Sequence, residues 1–407
     1  MARTIHRASM RVLMATNTYL PHVGGVANGV DRMVRSLRKL GHEVLVVAPG
    51  ESVSTPIHVD SDGNVRVPAI PAAAGSDFSM PLYVVGRLTE IARRFDPDII
   101  HAHHPFLLGR AALVAARTIG KPIVFTHHTL YEHYTRHFQP SRASAYAKLA
   151  TAAVSFLGAT TVPTVFGNRC DAVLTLSESV ARMLIERGVT VPVYVTPSGI
   201  DMEKFATMNG ASVRKKHFID PGAFVVGHVG RLSGEKNLGF LAKSISMFLA
   251  ANEKGRAIIV GKGQCSGEMD SIFRKSRVAA RVRWLGVQRG QALADAYGAM
   301  DVFAFSSTSE TQGLVLAEAM LAGVPVIALD GPGTRDIVRS EVNGQLVTRM
   351  APEALAAAML AWSRLPPHVA RERKEAARLT SASYAMERTT ERLVMVYEQV
   401  ARCQTNV

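Results

Sequence analysis

Three observations predict an α/β chain of two doubly wound domains facing each other across a cleft. The first is size: 407 residues exceed what one hydrophobic core ordinarily supports, and 47% hydrophobic with 20% charged residues is a globular balance. The second is a pseudo-repeat. Stretches opening near positions 11 and 224, about 213 positions apart, each run apolar strand, polar loop, amphipathic helix, apolar strand. The third is residues 301–325, with the same strand-loop-helix order and two carboxylates beyond the strand. In open α/β sheets ligands bind outside the carboxyl ends of the strands.

In the first unit, residues 10–15 read as a strand, 17–25 as a loop, 26–40 as a helix and 43–48 as a second strand. Val26, Val30, Met33, Val34, Leu37 and Leu40 recur at helical spacing, and Gly41 ends the helix. The loop carries Pro21-His22-Val23-Gly24-Gly25. Paired glycines let a backbone approach a phosphate closely, which makes Gly25 a candidate binding residue; a plain turn is the equal alternative.

Residues 98–101 and 123–126 read as further strands, with His101, His103, His104, His127 and His128 at their ends. Seven of the fourteen histidines fall between 101 and 137, and His133 and His137 are four apart. Histidines so spaced can ligate zinc, so a metal-dependent hydrolase is the rival function class. Against it, there is no HExxH or spaced Cys/His quartet, and Glu132 is the nearby acid. The strand ends place these histidines on the ligand-binding edge instead.

In the second unit, residues 224–230 read as a strand, 231–236 as a loop, 237–251 as a helix and 256–260 as a strand. Arg231 can fork onto two phosphate oxygens, and Lys236 adds a point charge at a helix start, where the dipole favours anions. Gly261-Lys262-Gly263 turns the chain after the next strand. Further on, 302–305 is a strand, 306–312 a loop and 313–321 a helix closed by Gly323. Glu310 lies in the loop; Glu318 shares the face of Leu314 and Leu321, so close to the core that its carboxylate needs a hydrogen-bond donor. The Gly313 and Leu314 amides open the helix beside Glu310 and form an anion cradle. Donors for a diphosphate beside acceptors for hydroxyls suit a nucleotide sugar. The bland alternative is a helix capped by Ser309 or Thr311, whose dipole favours Glu310. Turn residues cluster over 197–222, the crossing between domains, and 352–363, 369–379 and 386–401 read as terminal helices.

Ser309-Glu310-Thr311-Gln312-Gly313-Leu314, followed by Glu318-Ala319 and Ala322-Gly323-Val324-Pro325-Val326, resembles the E-x7-E region of the family 4 retaining glycosyltransferases, which have the GT-B fold. The resemblance implies that Glu310 contacts the donor sugar, the Gly313-Leu314 amides hold its phosphate, Glu318 binds the ribose, and Arg231 and Lys236 clamp the diphosphate. Residues 121–129, Lys-Pro-Ile-Val-Phe-Thr-His-His-Thr, resemble the segment whose histidine before threonine contacts the donor sugar. That match selects His128, with His127 as its neighbouring alternative. Gly261-Lys262-Gly263 resembles a Gly-x-Gly turn beside the nucleotide, though Lys262 stands where the family often has an acid, which leaves the base open.

By the same resemblance, 1–197 is an acceptor-binding domain, 198–385 a nucleotide-sugar-binding domain, and 386–407 a helix crossing back to the first. Leu130-Tyr131-Glu132-His133-Tyr134 resembles the glycolipid-forming branch, which includes diacylglycerol glucosyltransferases. The implied activity is retaining transfer of a hexose from a UDP- or GDP-linked donor, UDP-glucose favoured, to a lipid hydroxyl such as diacylglycerol. A soluble or polysaccharide acceptor is the alternative, and a non-catalytic nucleotide-sugar binder is a further class. No cofactor or metal is implied, and Asp96-Pro97-Asp98 reads as a turn before a strand.

Cys170, Cys265 and Cys403 are odd in number and far apart, which fits a reducing cytosol. Residues 1–11 lack the apolar run of a secretory signal, and 149–168 is too polar and broken to span a bilayer. The net charge of +14 is spread evenly, with 20 Lys/Arg against 13 Asp/Glu in residues 1–196 and 27 against 20 beyond. Such a surface attracts polyanions, but with 6% aromatics and no recognition motif nucleic acid is excluded as a partner. Residues 81–95, with Leu82, Val85, Leu88, Ile91 and Ala92 flanked by Arg87, Arg93 and Arg94, and residues 141–157 form basic amphipathic patterns. Each fits either ordinary core or an anionic membrane surface at the inner face.

Overall fold

The computed structural model describes residues 9–22, 24–54, 56–70, 79–82, 84–130 and 161–405. Glu132, His133, His137, the 131–134 continuation and the 141–157 helix lie outside the described residues. The chain forms two compact units, Met1–Gly199 with Glu387–Val407, and Ile200–Met386.

Unit 1 is built on an eight-stranded sheet. Its first strands are β1 (Arg11–Ala15), β2 (Glu43–Pro49), β3 (His58–Val59) and β4 (Val65–Val67). A small hairpin follows, β5 (Ala69–Ile70) with β6 (Met80–Pro81). Then come β7 (Ile99–Ala102), β8 (Ile123–His127), β9 (Ala172–Thr175) and β10 (Val193–Val195). The spatial order is β10-β9-β8-β7-β1-β2-β4-β3, all parallel except β3 against β4. β7, β8 and β9 are buried along their whole length and β1 beyond Arg11, and they are mainly apolar because helices cover both faces. Chain order reverses between β1 and β7, so the loops after those strands flank a switch point.

Helix Gly25–Lys39 covers one face with Val30, Val34 and Leu37, each fully buried side chain stabilising the fold by roughly 1.5–3 kcal/mol over exposure. Leu40, grouped with them by spacing, is instead the half-exposed C-cap, and Gly41 follows at φ 87°. Helix Met386–Thr405 lays Leu393, Val394, Val396, Tyr397 and Val400 into the same cluster. On the other face, helix Val84–Phe95 sinks Leu88 and Ala92 completely and packs Ile91 on the core. The apolar stripe of 81–95 is therefore mostly core, which leaves Val85 and the arginines at the surface. Among the described residues no helix is long and apolar enough to cross a membrane.

Unit 2 holds β11 (Phe224–Val229), β12 (Gly255–Val260), β13 (Val282–Gly286), β14 (Val302–Phe305), β15 (Val326–Leu329) and β16 (Gly344–Val347). They lie parallel in the order β13-β12-β11-β14-β15-β16, the dinucleotide-fold order, with its switch point between β11 and β14. Apolar clusters fill both faces. The stretch read as strandless turns contains a 3-10 turn, Glu203–Phe205, and helix Gly210–Lys216. Ile200 N donates to Tyr384 O at 2.8 Å and Met386 N to Ile200 O at 3.2 Å, so the chain enters and leaves this unit at adjacent points.

Candidate active site

In unit 2 the loops after β11 and β14 leave neighbouring strands at the switch point, and they are stitched together. The Ser306 hydroxyl donates to the carbonyls of Lys236 (2.8 Å) and Asn237 (3.1 Å). Lys236 Nζ then donates to Glu310 Oε1 at 2.5 Å, with the two side chains 24% and 17% exposed. A charge-assisted bond between half-buried groups holds both more firmly than a surface pair would. Helix Leu238–Ala251 starts one residue later than its apolar pattern, because Asn237 sits in the left-handed region at φ 55°.

Arg231 is exposed and lies 3.5 Å from Glu235 Oε1, which also accepts from Ser233 Oγ at 2.6 Å. Burial alone would raise the Glu235 carboxyl. Hydrogen bonds from Ser233 and its own backbone, with Arg231 and Lys236 nearby, outweigh that and hold it below its ordinary value. Glu235 thus serves as a half-buried strut for the arginine.

Gly313 is the N-cap of helix Leu314–Leu321, at φ 71° and with no side-chain cap, so neither Ser309 nor Thr311 caps it. The first amides of that helix have no intrahelical acceptor and remain donors for an anion. On the next turn Glu318 is half-buried, and the hydroxyl of fully buried Tyr297 donates to its Oε2 at 3.1 Å. Gly261 has φ 132°, and a Cβ there would meet Gly230 O at 1.9 Å. Leu232 N donates to Lys262 O at 3.2 Å, so the Gly-Lys-Gly turn is pressed against the Arg231 loop. The glycines serve that backbone contact, while Lys262 is exposed.

Fully buried His228, at the end of β11, directs Nδ1 at Ala304 O, 3.1 Å away. A carbonyl only accepts, so the proton is on Nδ1 and Nε2 carries the lone pair. Burial above all lowers its pKa to about 4.

In unit 1, Gly25 opens helix Gly25–Lys39, and nothing lies within 4 Å of where its Cβ would stand. The loops after β1 and β7 are tied through Asn17, whose N–H donates to His104 Nδ1 (3.2 Å) and whose side chain bonds Phe106 O and Leu108 N. His128, just beyond β8, is buried and pairs its Nε2 with His103 Nδ1 at 2.8 Å. Burial first, then neighbouring imidazoles, push both rings well below the ordinary histidine value. His127 is buried edge-on to Phe125. Among the described residues no group of three His, Cys, Asp or Glu is arranged to hold a metal ion.

Arg231, Lys236, Gly261, Glu310, Gly313, Leu314 and Glu318 thus all belong to unit 2, while Gly25 and His128 belong to unit 1. Sequence alone did not single out Tyr297, Ser306, Glu235 or His228, nor did it pair His103 with His128. A Tyr preceding Gly298 or a Ser ending a strand is too common to mark a site.

Two parallel doubly wound units, one with an Arg/Lys/Glu loop pair at its switch point, define a GT-B-type transferase architecture. The chain belongs to glycosyltransferase family 4: the family model "Glycosyltransferase Family 4" matches residues 23–204 and "Glycosyl transferases group 1" matches 211–380. It is 33% identical over 344 residues to a GDP-mannose-dependent alpha-mannosyltransferase of Mycobacterium tuberculosis, covering 83% of this chain and 84% of that one. It is 28% identical over 349 residues to the alpha-monoglucosyldiacylglycerol synthase of Streptococcus pneumoniae, covering 83% and 75%. Among solved structures, Anabaena Alr3699/HepE in complex with UDP and glucose superposes with a TM-score of 0.72 at 19% identity, over 98% of this chain and all of that one.

Proposed function

We propose that the protein is a retaining hexosyltransferase that moves a sugar, glucose from UDP-glucose favoured, onto a lipid hydroxyl such as that of diacylglycerol. The observation that carries this reading is the Lys236–Glu310 pair beside the Gly313-Leu314 amides at the switch point. Cationic and amide donors for a diphosphate stand there next to an acceptor for sugar hydroxyls.

The bond from the anomeric carbon to the diphosphate breaks, and one to the acceptor oxygen forms on the same face. The acceptor proton passes to the leaving phosphate oxygen. Arg231, Lys236 and the amides stabilise the charge gathering on that oxygen, the term that usually dominates. Glu310 orients the sugar, Glu318 accepts from the ribose, and Gly25 and Gly261 let backbone approach the donor. To His128 we assign the contact on the C6 side of the sugar. With the leaving charge met by protein cations, turnover proceeds without added metal; abolition by EDTA with rescue by a divalent ion contradicts this.

The relative named as a monoglucosyldiacylglycerol synthase supports the lipid acceptor. So does a cavity of about 740 Å³ in unit 1, walled by Pro56, Ile57, Leu82 and Ile91, with Arg87 and Arg94 beside it, both paired with Glu90. We place the protein in the cytoplasm, with these arginines meeting an anionic inner membrane face. A second reading, mannosyl transfer from GDP-mannose, is favoured by the relative at 33% identity. Incubation with pooled UDP- and GDP-sugars, diacylglycerol vesicles and soluble sugars, read by mass spectrometry, separates them. A hexosyl-diacylglycerol supports the first; mannosylation from GDP-mannose alone supports the second.

A further inference from the structure

Helix Gly210–Lys216 ends in a Schellman turn: Phe218 N donates to Lys215 O at 3.2 Å and Ile219 N to Arg214 O at 2.9 Å. The residue after the C-cap in such a turn takes a left-handed backbone, which is why glycine usually stands there. Here it is Phe218, at φ 53°. An aromatic residue in that region is a steric outlier. The strain brings no packing in return, because Phe218 is 89% exposed while Ile219 beside it is buried in the core of unit 2. The position costs the fold twice, and residues that do so without local compensation are characteristic of functional surfaces.

The ring stands among cations. Lys215 and Lys216 are exposed, and neither forms an ion pair among the described residues. Arg283, on β13, donates from Nε to His217 O at 2.8 Å and from Nη1 to Ala280 O at 2.6 Å, bonds to carbonyls that leave its charge unneutralised. By contrast, Arg214 is neutralised by Asp301 at 2.8 Å, and Asp220 accepts from Gly222 N at 2.7 Å in its own turn. Desolvation first, then Lys216 and Arg283, lower the pKa of His217, as a positive local field requires. The lysines also suit the negative end of the helix dipole, but the dipole gives no reason for an exposed ring.

We infer that Phe218, Lys215 and Lys216 form a membrane anchor on unit 2, the lysines meeting anionic headgroups and the ring lying at the headgroup boundary. A protein partner needs an apolar centre with several anchors, whereas one projecting ring between uncompensated cations matches a lipid interface. The inference adds a second contact, in the other unit, to the membrane contact proposed above. It depends on neither the sugar nor the acceptor.

Flotation of the full chain compares vesicles of phosphatidylcholine alone with vesicles that also contain phosphatidylglycerol. Binding is expected to the second only, with release in about 0.5 M salt, where exposed charges are screened. Lys215→Ala/Lys216→Ala is expected to weaken binding by about tenfold or more, and Phe218→Gly by about fivefold. The melting midpoint of Phe218→Gly should hold or rise by up to about 4 °C, since glycine relieves the strain. In Phe218→Trp, with the signal of Trp284 and Trp362 subtracted from wild type, the emission should shift to the blue on anionic vesicles and be quenched by brominated acyl chains. Phe218→Gly binding within about twofold of wild type, an unmoved emission in Phe218→Trp, or no binding of wild type to either vesicle overturns the inference. So does a dimer in solution that Phe218→Gly dissociates, because a second copy then covers the ring. All of these readings are made without a donor, so they stand even if the protein transfers no sugar.

Discussion

Lys236 and Glu310 stand 74 positions apart in the chain, yet Nζ lies 2.5 Å from Oε1 at the switch point of unit 2. Each side chain holds the other at the place to which we assign the diphosphate and the sugar. Glu310→Gln keeps the size and removes the charge. Turnover is expected to fall by about 100-fold or more, while affinity for bare UDP or GDP changes less than about threefold. Steady-state rates beside calorimetric titration of the nucleotide check this, and equal losses in both contradict the role.

Glu318 should show the opposite pattern. It accepts from Tyr297 and is assigned to the ribose, and hydrogen bonds to a charged group are worth ~1.5–3 kcal/mol each. Glu318→Ala is therefore expected to weaken nucleotide binding by about tenfold or more. Unchanged nucleotide affinity in this variant removes Glu318 from the site.

Gly261→Ala and Gly313→Ala differ in severity for a steric reason. A Cβ at 261 meets the Gly230 carbonyl at 1.9 Å on a φ of 132°, whereas at 313 it meets the movable end of Leu316 at 2.9 Å on a φ of 71°. The second variant costs about 1–2 kcal/mol of left-handed strain. The first must also displace the Arg231 loop, so its unfolding midpoint should fall further and its nucleotide binding with it. Equal midpoints in the two variants would show that the loop yields freely.

What the sequence made legible follows from burial. Parallel strands covered on both faces, such as Val302–Phe305, are short apolar runs, and the loops after them carry the polar clusters. Backbone exceptions were not legible: the left-handed conformations of Asn237 and Gly313 delay two helix starts that apolar spacing places earlier. Nor was the fate of the 81–95 stripe, since Leu88 and Ala92 satisfy a membrane face and a core face equally, and only packing against the sheet decides. The Lys236–Glu310 and His103–His128 pairs depend on which strands are neighbours, and composition does not carry that order.

Buried neutral histidines make unit 1 acid-sensitive. Burial lowers His101 and His104 to about 3, against ~6.5 in the unfolded chain. Between those values the unfolded state binds the extra protons. The stability that these rings confer is therefore complete above about pH 6.5 and is lost as pH falls towards 3, at ~1.4 kcal/mol per pH unit for each ring. Scanning calorimetry should find the unit 1 transition lowered by roughly 10 °C between pH 7 and pH 5. In unit 2 His228 carries the same liability as a fully buried ring, and His217, lowered by desolvation and then by Lys216 and Arg283, is only partly buried, so that transition moves less. Transitions that shift together by the same amount contradict this distribution.

The most direct experiment is to incubate the protein with UDP-glucose and diacylglycerol vesicles in EDTA, and to read the anomeric configuration of the glycosidic product by NMR. An α-glucosyl lipid formed from the α-linked donor without metal is the expected result. A β-linked product, or no transfer to any acceptor with any UDP- or GDP-sugar, contradicts the retaining transferase assigned to the Lys236–Glu310 site.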